Sequence, residues 1–135
     1  MHALRKPGIV VVEDMDDLRE LLAEVLTSEG YHAIMARTGL EALDKMTSAV
    51  LPDLVITDLT MPEMSGGELV QRMRRNPSLA HLPVIVLTSR ERKKAMEELG
   101  EAARSVQQIL RKPVNLSELL TAVDTALSES RRPQQ

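Results

Sequence analysis

The sequence predicts an α/β fold: a doubly wound (βα)5 arrangement, in which a five-stranded parallel sheet carries helices on both faces. The first observation is that short apolar runs alternate with longer segments of helical periodicity. The second is that three of these runs are apolar at every position, as in strands buried on both faces of a parallel sheet. The third is that the runs end abruptly in acidic, hydroxyl or basic residues. Ligand sites of open parallel sheets lie at those strand ends.

The first half of the chain predicts two strands and two helices. Residues 9–12 are a β-branched run that ends at an acidic pair. The helix that follows begins with two acidic residues in its first turn and stops at Gly30. Its apolar stripe at i, i+3, i+4, i+7 and i+8 consists of Leu18, Leu21, Leu22, Val25 and Leu26. Residues 31–36 form a mixed strand, and Thr38 with Glu41 has capping-box spacing for the second helix.

The second half continues the alternation through three more strands and three more helices. Residues 54–56 form a strand bounded by Pro52 and Pro62, and the strand at residues 84–87 is again wholly apolar. The third helix should stop near Asn76, and the fifth strand should span residues 106–110. The apolar positions of the third, fourth and fifth helices are Leu69, Val70 and Met73; Ala95, Met96 and Leu99; and Leu116, Leu119, Leu120, Val123 and Leu127. Residues 115–118 have the composition of an N-terminal cap for the fifth helix.

Strand composition also predicts the order of the sheet. The wholly apolar first, third and fourth strands should be central, because a central strand is buried on both faces. The second strand contains His32 and the fifth contains Gln107 and Gln108, which suits the edges of a sheet. These assignments match the doubly wound order 2-1-3-4-5, which places the ends of the first and third strands side by side.

Composition excludes several classes of function. A chain of 135 residues with 43% apolar and 27% charged residues is typical of one globular domain. The absence of cysteine excludes disulfides, thiolate metal sites and cysteine nucleophiles. A net charge of −3 gives no argument for binding nucleic acid or an anionic membrane, and no segment is long and apolar enough to span a bilayer. We therefore expect a cytoplasmic protein.

Five side chains should converge at the strand ends. The first strand delivers Glu13 and Asp14 beside Asp58 from the third strand, while the fourth and fifth strands bring Thr88 and Lys112. Clustered carboxylates repel each other unless a cation compensates them. Oxygen ligands without Cys or His favour a hard cation such as Mg²⁺. A carboxylate can also attack phosphorus when nearby charges stabilise the transferring group, so the set is suited to phosphoryl chemistry.

These residues give the chain a recognisable pattern. It resembles the receiver domain of two-component response regulators, the CheY-like family, over residues 7–128, with short polar tails at residues 1–6 and 129–135. The resemblance is carried by Glu13-Asp14, by Asp58 within Asp-Leu-Thr-Met-Pro-Glu-Met-Ser-Gly, by Thr88-Ser89 and by Lys112-Pro113. Each motif alone is weak, but their occurrence in order at matching strand ends is specific.

The resemblance implies a phosphorylation site and its metal. Asp58 would accept a phosphoryl group from a histidine kinase or a histidine phosphotransfer protein. Mg²⁺ would be held by Asp14, Asp58 and the Thr60 backbone carbonyl, with Glu13 acting through water. The chain would be a signalling switch rather than an enzyme, with self-catalysed phosphoryl acceptance and slow autodephosphorylation only. No direct contact with nucleic acid or a membrane is implied; the chain would be monomeric before phosphorylation, with dimerisation on activation left open.

The resemblance also implies how the signal is read. Lys112, aimed by a cis bond to Pro113, would pair with the phosphoryl oxygens, and Thr88 would reorient on their arrival. The family usually has an aromatic switch residue three positions before this lysine, where this chain has Ile109. The segment from Thr88 to Lys112 is also longer than the common pattern. A stiff, β-branched Ile109 should stay packed, so we expect the fifth strand to register phosphorylation weakly.

The same residues allow other interpretations. Each of the five residues alone could be a turn former, a helix cap or a surface lysine. A flavodoxin-like carrier would need a phosphate-binding first loop, which Glu13-Asp14 opposes. A dehalogenase-type phosphatase would need an acid at the position of Thr60. A pseudo-receiver that only binds proteins is the main alternative, and the sequence does not decide between a stand-alone receiver and part of a larger regulator. The basic run of residues 90–94 is interpreted as a solvated face, with a docking role left open.

Overall fold

The computed structural model describes residues 5–48 and 51–130. It contains a five-stranded parallel sheet in the order β2-β1-β3-β4-β5, which confirms the predicted topology. The elements are β1 (Gly8–Val12), α1 (Asp16–Ser28), β2 (His32–Ala36), α2 (Gly39–Ser48), β3 (Leu54–Asp58), α3 (Gly66–Arg75), β4 (Val84–Thr88), α4 (Arg92–Leu99), a 3₁₀ helix (Gly100–Ser105), β5 (Gln108–Arg111) and α5 (Leu116–Ser130).

The three central strands separate two hydrophobic layers. Every residue of β1, β3 and β4 is buried, as the apolar runs predict. Alternate side chains of a strand point to opposite faces. Thus Val10, Val55 and Val86 pack with α2, α3 and α4 on one face, while Ile9 and Ile56, among others, pack with α1 and α5 on the other. The predicted placement of helices on both faces is confirmed.

The helix ends follow their local sequence signals. Gly30 adopts a positive φ of 92° after α1, and the Tyr31 N–H donates to the Leu26 carbonyl, so the predicted stop is confirmed. Thr38 Oγ1 accepts a hydrogen bond from the Glu41 N–H at 3.0 Å. The Glu41 carboxylate accepts from the N–H of Arg37, not from that of Thr38, so the capping box is formed with a shift of one residue. Asn115 caps α5 as predicted, accepting from the Glu118 N–H.

The phase of the buried face of α1 differs from the prediction. Leu22 and Leu26 are fully buried, but Leu21 is 45% exposed and was wrongly placed in the stripe. Arg19 is instead 5% exposed, because it lies at i and the buried Leu22 and Leu26 at i+3 and i+7. The prediction from apolar spacing included Leu21, which lies at the margin of the buried face, and left out the charged Arg19 within it.

The region between β4 and α5 departs most from the sequence expectations. A 3₁₀ helix over Gly100–Ser105 was not predicted, and β5 begins at Gln108 rather than at residue 106. Met96 is 39% exposed, so its assignment to the apolar stripe of α4 was also wrong. The Arg74 guanidinium bridges this region, donating to the carbonyls of Leu82 at 2.7 Å and Ser105 at 2.8 Å. A side chain from α3 therefore fixes where the chain enters β5.

The predicted polar tails, residues 1–6 and 129–135, lie mostly outside the described residues, and α5 extends to Ser130. Within residues 5–48 and 51–130, no helix combines the length and apolar character that crossing a membrane requires.

Candidate functional site

The predicted site residues lie at the carboxyl edge of the sheet. Asp58 is the last residue of β3 and pairs in register with Leu87, one residue before Thr88 at the end of β4. Glu13 follows directly after β1, and Lys112 follows directly after β5. Because all strands are parallel, these four positions meet at one edge, as predicted.

Three carboxylates form an acidic cluster. One oxygen from each of Glu13, Asp14 and Asp58 lies within 4.8 Å of the others. Glu13 is fully buried and Asp58 is 6% exposed, whereas Asp14 is exposed. The cluster therefore has a buried wall and opens to solvent on the side of Asp14.

Lys112 connects the two buried carboxylates. Its ammonium group lies 3.1 Å from Glu13 Oε1 and 3.1 Å from Asp58 Oδ2. Its backbone N–H donates to the Thr88 carbonyl at 2.7 Å, which places the lysine against the end of β4. The Lys112–Pro113 peptide bond is cis, as the family resemblance implied.

The electrostatics of the cluster oppose full ionisation. Burial raises the pKa of Glu13, and the neighbouring Asp58 charge raises it further, although the Met15 N–H and Lys112 counteract this. Burial also raises the pKa of Asp58, with Lys112 opposing and Asp14 reinforcing the shift. Burial of Lys112 acts to lower its pKa, but Asp58 and Glu13 outweigh that effect and leave its pKa raised. The single ammonium is thus not sufficient to offset the desolvation of two carboxylates.

The backbone that carries Glu13 is held by several contacts. The Glu13 N–H donates to the Ala36 carbonyl at 3.1 Å, and Glu13 Oε2 accepts from the Met15 N–H at 3.1 Å. The Arg19 guanidinium donates to the Glu13 carbonyl at 2.9 Å and forms an ion pair with Asp16. The sequence reasoning missed Arg19. Its spacing of three and seven residues from Leu22 and Leu26 was the signal that could have found it.

The backbone after Asp58 is closely packed against the start of α3. The Gly66 N–H donates to the Leu59 carbonyl at 2.7 Å. A Cβ atom at Gly66 would lie 2.4 Å from the Asp58 carbonyl oxygen, so only glycine allows this approach. The Thr57 hydroxyl also donates to the Asp58 carbonyl at 3.0 Å. The loop and the helix after β3 therefore fix the backbone of the central carboxylate.

Thr88 and Thr60 occupy different environments. Thr88 is 2% exposed, and its hydroxyl accepts a hydrogen bond from the Arg90 N–H at 3.0 Å. It does not cap α4, whose N-cap residue is Glu91. Thr60 is exposed and lies in the loop two residues after Asp58. The structure thus brings Glu13, Asp14, Asp58 and Lys112 into direct proximity, while Thr88 lies at the end of β4 and Thr60 in the loop after β3.

The donor set of the cluster fits a hard divalent cation. Three carboxylates carry three negative charges and Lys112 carries one positive charge, which leaves a net charge of −2 when all are ionised. The described residues of the cluster supply oxygen ligands only, which is the preference of Mg²⁺. The exposed side at Asp14 leaves room for the waters that Mg²⁺ retains.

Comparisons with known proteins agree with this geometry. The profile of the response regulator receiver domain matches residues 9–124. The sensor histidine kinase TmoS of Ectopseudomonas mendocina is 38% identical over 123 residues, which are 91% of this chain and 12% of TmoS. The polar-differentiation response regulator DivK of Brucella ovis is 28% identical over 123 residues, which are 91% of this chain and 98% of DivK.

The similarity extends to solved structures. The signal receiver domain of a signal transduction histidine kinase from Syntrophus aciditrophicus has a TM-score of 0.85 and 30% identity, and the match covers 96% of each chain. The chain spans only 12% and 8% of two histidine kinases that it matches, TmoS and kinase D of Dictyostelium discoideum.

Proposed function

Because this chain belongs to the response regulator receiver domain family, we propose that it is a phosphorylation-activated switch in which Asp58 accepts a phosphoryl group with Mg²⁺. Receiver domains are signalling switches rather than true enzymes. The observation that carries the proposal is the position of the Lys112 ammonium, 3.1 Å from Asp58 Oδ2 inside a three-carboxylate cluster. We assign residues 7–128 to this domain, and the family match over residues 9–124 supports those bounds.

The proposed donor is a phosphohistidine of a histidine kinase or a phosphotransfer protein. An Asp58 oxygen attacks phosphorus, the P–O bond forms as the P–N bond breaks, and the imidazole leaves with the electron pair. Asp58 must be ionised to attack, and the Lys112 ammonium favours that form. The burial of Asp58, which is 6% exposed, limits competition by water at the acyl phosphate.

The transferring group carries negative charge that the site must stabilise. The Lys112 ammonium is already at the Asp58 carboxylate and can follow the phosphoryl oxygens without a large movement. The Thr88 hydroxyl at the end of the adjacent strand is the proposed sensor of those oxygens. Asp14, Asp58 and the Thr60 carbonyl would hold Mg²⁺, with Glu13 acting through water. The ion would supply positive charge at the transferring oxygens.

Labelling with a small phosphodonor tests this function. Acetyl phosphate and Mg²⁺ should add one phosphoryl group, measured by intact mass because the chain has no tryptophan for a fluorescence assay. Asp58→Asn should abolish labelling, since an amide is not a nucleophile at phosphorus. Asp44→Asn, which changes an exposed carboxylate on α2, is the matched control and should be labelled as the wild type is.

Chelation of divalent cations should also stop the labelling. Equal labelling of Asp58→Asn would refute the assignment of the phosphoacceptor. Absence of labelling in the wild type with acetyl phosphate and with a phosphorylated histidine phosphotransfer domain would favour the alternative, a pseudo-receiver that acts by protein contacts only.

A further inference from the structure

We propose that Arg19 is a positioning residue for the metal site, and that its guanidinium holds the Glu13–Asp14 peptide so that both carboxylates face the cation. This inference depends on the proposed function, since it concerns the same site. Arg19 does not touch the carboxylates of Glu13 or Asp14 in the described hydrogen bonds and ion pairs. Its role is therefore exerted through the backbone that carries them.

The contacts of Arg19 identify what it holds. Arg19 Nη1 donates to the Glu13 carbonyl oxygen at 2.9 Å, and that carbonyl belongs to the peptide that links Glu13 to Asp14. Arg19 Nη2 donates to Asp16 Oδ1 at 2.5 Å. The Arg19 side chain is only 7% exposed, whereas that of Asp16 is 66% exposed. A buried guanidinium is costly unless its donors are bonded, so these contacts define its position.

Asp14 depends on this peptide more than Glu13 does. Glu13 is also fixed by its own carboxylate, which accepts from the Met15 N–H and from Lys112. Asp14 is exposed, and no hydrogen bond or ion pair to its side chain is found in the described parts of the chain. The position of its carboxylate is consequently set by its backbone, whose preceding peptide is the one that Arg19 holds.

Charge and positioning predict opposite effects of removing Arg19. A buried positive charge near the cluster repels an incoming Mg²⁺, so an effect of charge alone would make metal binding tighter in Arg19→Met. A loosened Glu13–Asp14 turn would make binding weaker. Arg19→Lys separates the two further, because lysine keeps the charge but lacks the planar fork that reaches a carbonyl and a carboxylate together.

Metal affinity is the direct readout. Titration calorimetry with Mg²⁺ on the unphosphorylated protein should give a dissociation constant about tenfold higher for both Arg19→Lys and Arg19→Met, the range for groups that orient metal ligands. In acetyl phosphate labelling, the Mg²⁺ concentration for half-maximal rate should rise equally, while the rate at saturating Mg²⁺ is retained. Arg72→Met, which breaks an exposed ion pair with Glu68 on α3, is the matched arginine control and should leave both values unchanged.

Asp16 and Asp17 provide a second matched pair. Both are exposed acidic residues in the first turn of α1, but only Asp16 is paired with Arg19. Asp16→Asn should therefore weaken Mg²⁺ binding more than Asp17→Asn, although each removes one negative charge. Equal effects of the two would show that Asp16 acts by charge and not by orienting Arg19.

The outcomes distinguish this inference from the proposed function. If the wild type binds no Mg²⁺, the proposed metal requirement fails and the role of Arg19 fails with it. If the wild type binds Mg²⁺ and Arg19→Lys binds it equally well, the positioning role alone is refuted. Tighter binding by Arg19→Met would refute it in favour of simple charge repulsion. Should Arg19→Met not fold, Arg19→Lys still decides, and a lower melting temperature with unchanged affinity would reduce Arg19 to a structural residue.

Discussion

Two adjacent glycines at the start of α3 should respond oppositely to the same substitution. A Cβ atom at Gly66 would lie 2.4 Å from the Asp58 carbonyl oxygen and 3.0 Å from Leu59 Cα. Both obstacles are backbone atoms, so relief requires α3 or the end of β3 to move. Because the backbone cannot turn aside as a side chain can, we place the cost of the added methyl group at the upper end of the overpacking range, about 3 kcal/mol. Replacing glycine in a helix returns at most about 1 kcal/mol. We expect Gly66→Ala to lower the free energy of unfolding by about 2 kcal/mol.

Gly67 is the matched control, because it is buried in the same turn. A Cβ atom there would meet the Glu98 carbonyl oxygen at 3.5 Å and Leu99 Cα at 3.6 Å, which are ordinary van der Waals contacts. Gly67→Ala should therefore raise stability by about 0.5 kcal/mol through helix propensity. Gly39 tests the nature of the obstacle, since its Cβ would lie 2.6 Å from the sulfur of Met64, a flexible side chain. Gly39→Ala should cost less than Gly66→Ala.

Urea unfolding followed by far-ultraviolet circular dichroism measures these differences. With a denaturant slope of about 2 kcal/mol per molar, the midpoint of Gly66→Ala should fall by about 1 M, and that of Gly67→Ala should rise slightly. Since the Gly66 obstacle is the carbonyl of Asp58, Gly66→Ala should also slow acetyl phosphate labelling. If Gly66→Ala is as stable as Gly67→Ala and is labelled at the wild-type rate, the close approach of α3 to Asp58 is wrong.

Three further predictions concern the charged cluster and the switch. Lys112→Met leaves Glu13 and Asp58 without their shared cation, so the free energy of unfolding of the metal-free protein should fall by about 2 kcal/mol. This is less than the cost of breaking a fully buried pair, because the Lys112 side chain is 19% exposed. In thermal unfolding, Mg²⁺ should restore part of the lost stability. The pKa values of Glu13 and Asp58 are raised above 4.5 and 3.8, so the folded state binds more protons than the unfolded state in that window. The free energy of unfolding of the metal-free protein should therefore fall as the pH rises from those values through the raised folded-state pKa values. Asp58→Asn should make the urea midpoint depend less steeply on pH in that window. An unchanged pH dependence in this variant would contradict the raised pKa of Asp58. With beryllium fluoride as a phosphoryl mimic, amide hydrogen exchange should change more over residues 88–94 than over residues 106–110, and the reverse would show that β5 carries the signal.

The order of the strands was predictable because strands buried on both faces consist mostly of apolar residues. β1, β3 and β4 are apolar along most of their length, and they are the three central strands. His32 and Gln108 mark β2 and β5, which lie at the edges. Once the order is known, the parallel direction of the strands places the residues after each strand at one edge of the sheet.

Which helix side chains are buried was less predictable, because the periodicity of apolar residues cannot identify a buried charged residue. On α1, the apolar Leu21 is exposed and the charged Arg19 is buried. Arg19 can be buried because its guanidinium donates to a carbonyl of the β1–α1 turn and to a carboxylate of its own helix. Neither contact can be predicted from the spacing of apolar residues. The buried face of α1 is thus partly defined by the site it supports.

The start of β5 could not be predicted because side chains replace part of the strand ladder. The Gln107 N–H donates to the Val84 carbonyl at 2.8 Å, while the Val84 N–H donates to the Gln107 side-chain oxygen at 2.7 Å. Ala103 in the 3₁₀ helix and Val106 directly after it pack against the core. In the sequence these apolar residues therefore look like part of the strand. Ile109, at the usual aromatic position, packs partly buried against the same core.

The folded chain by itself does not fully compensate the buried negative charge of the site. Glu13 and Asp58 are desolvated by the surrounding strands, and their raised pKa values show that the Lys112 ammonium only partly offsets this cost. The rest of the domain must therefore stabilise an arrangement that is unfavourable in isolation, and the two fully apolar layers around β1, β3 and β4 are suited to do so. A divalent cation would remove the excess negative charge, and a phosphoryl group would add it again within reach of Lys112 and Thr88. Binding of either therefore changes the electrostatic balance at the strand ends, which is the physical basis on which this domain can act as a switch.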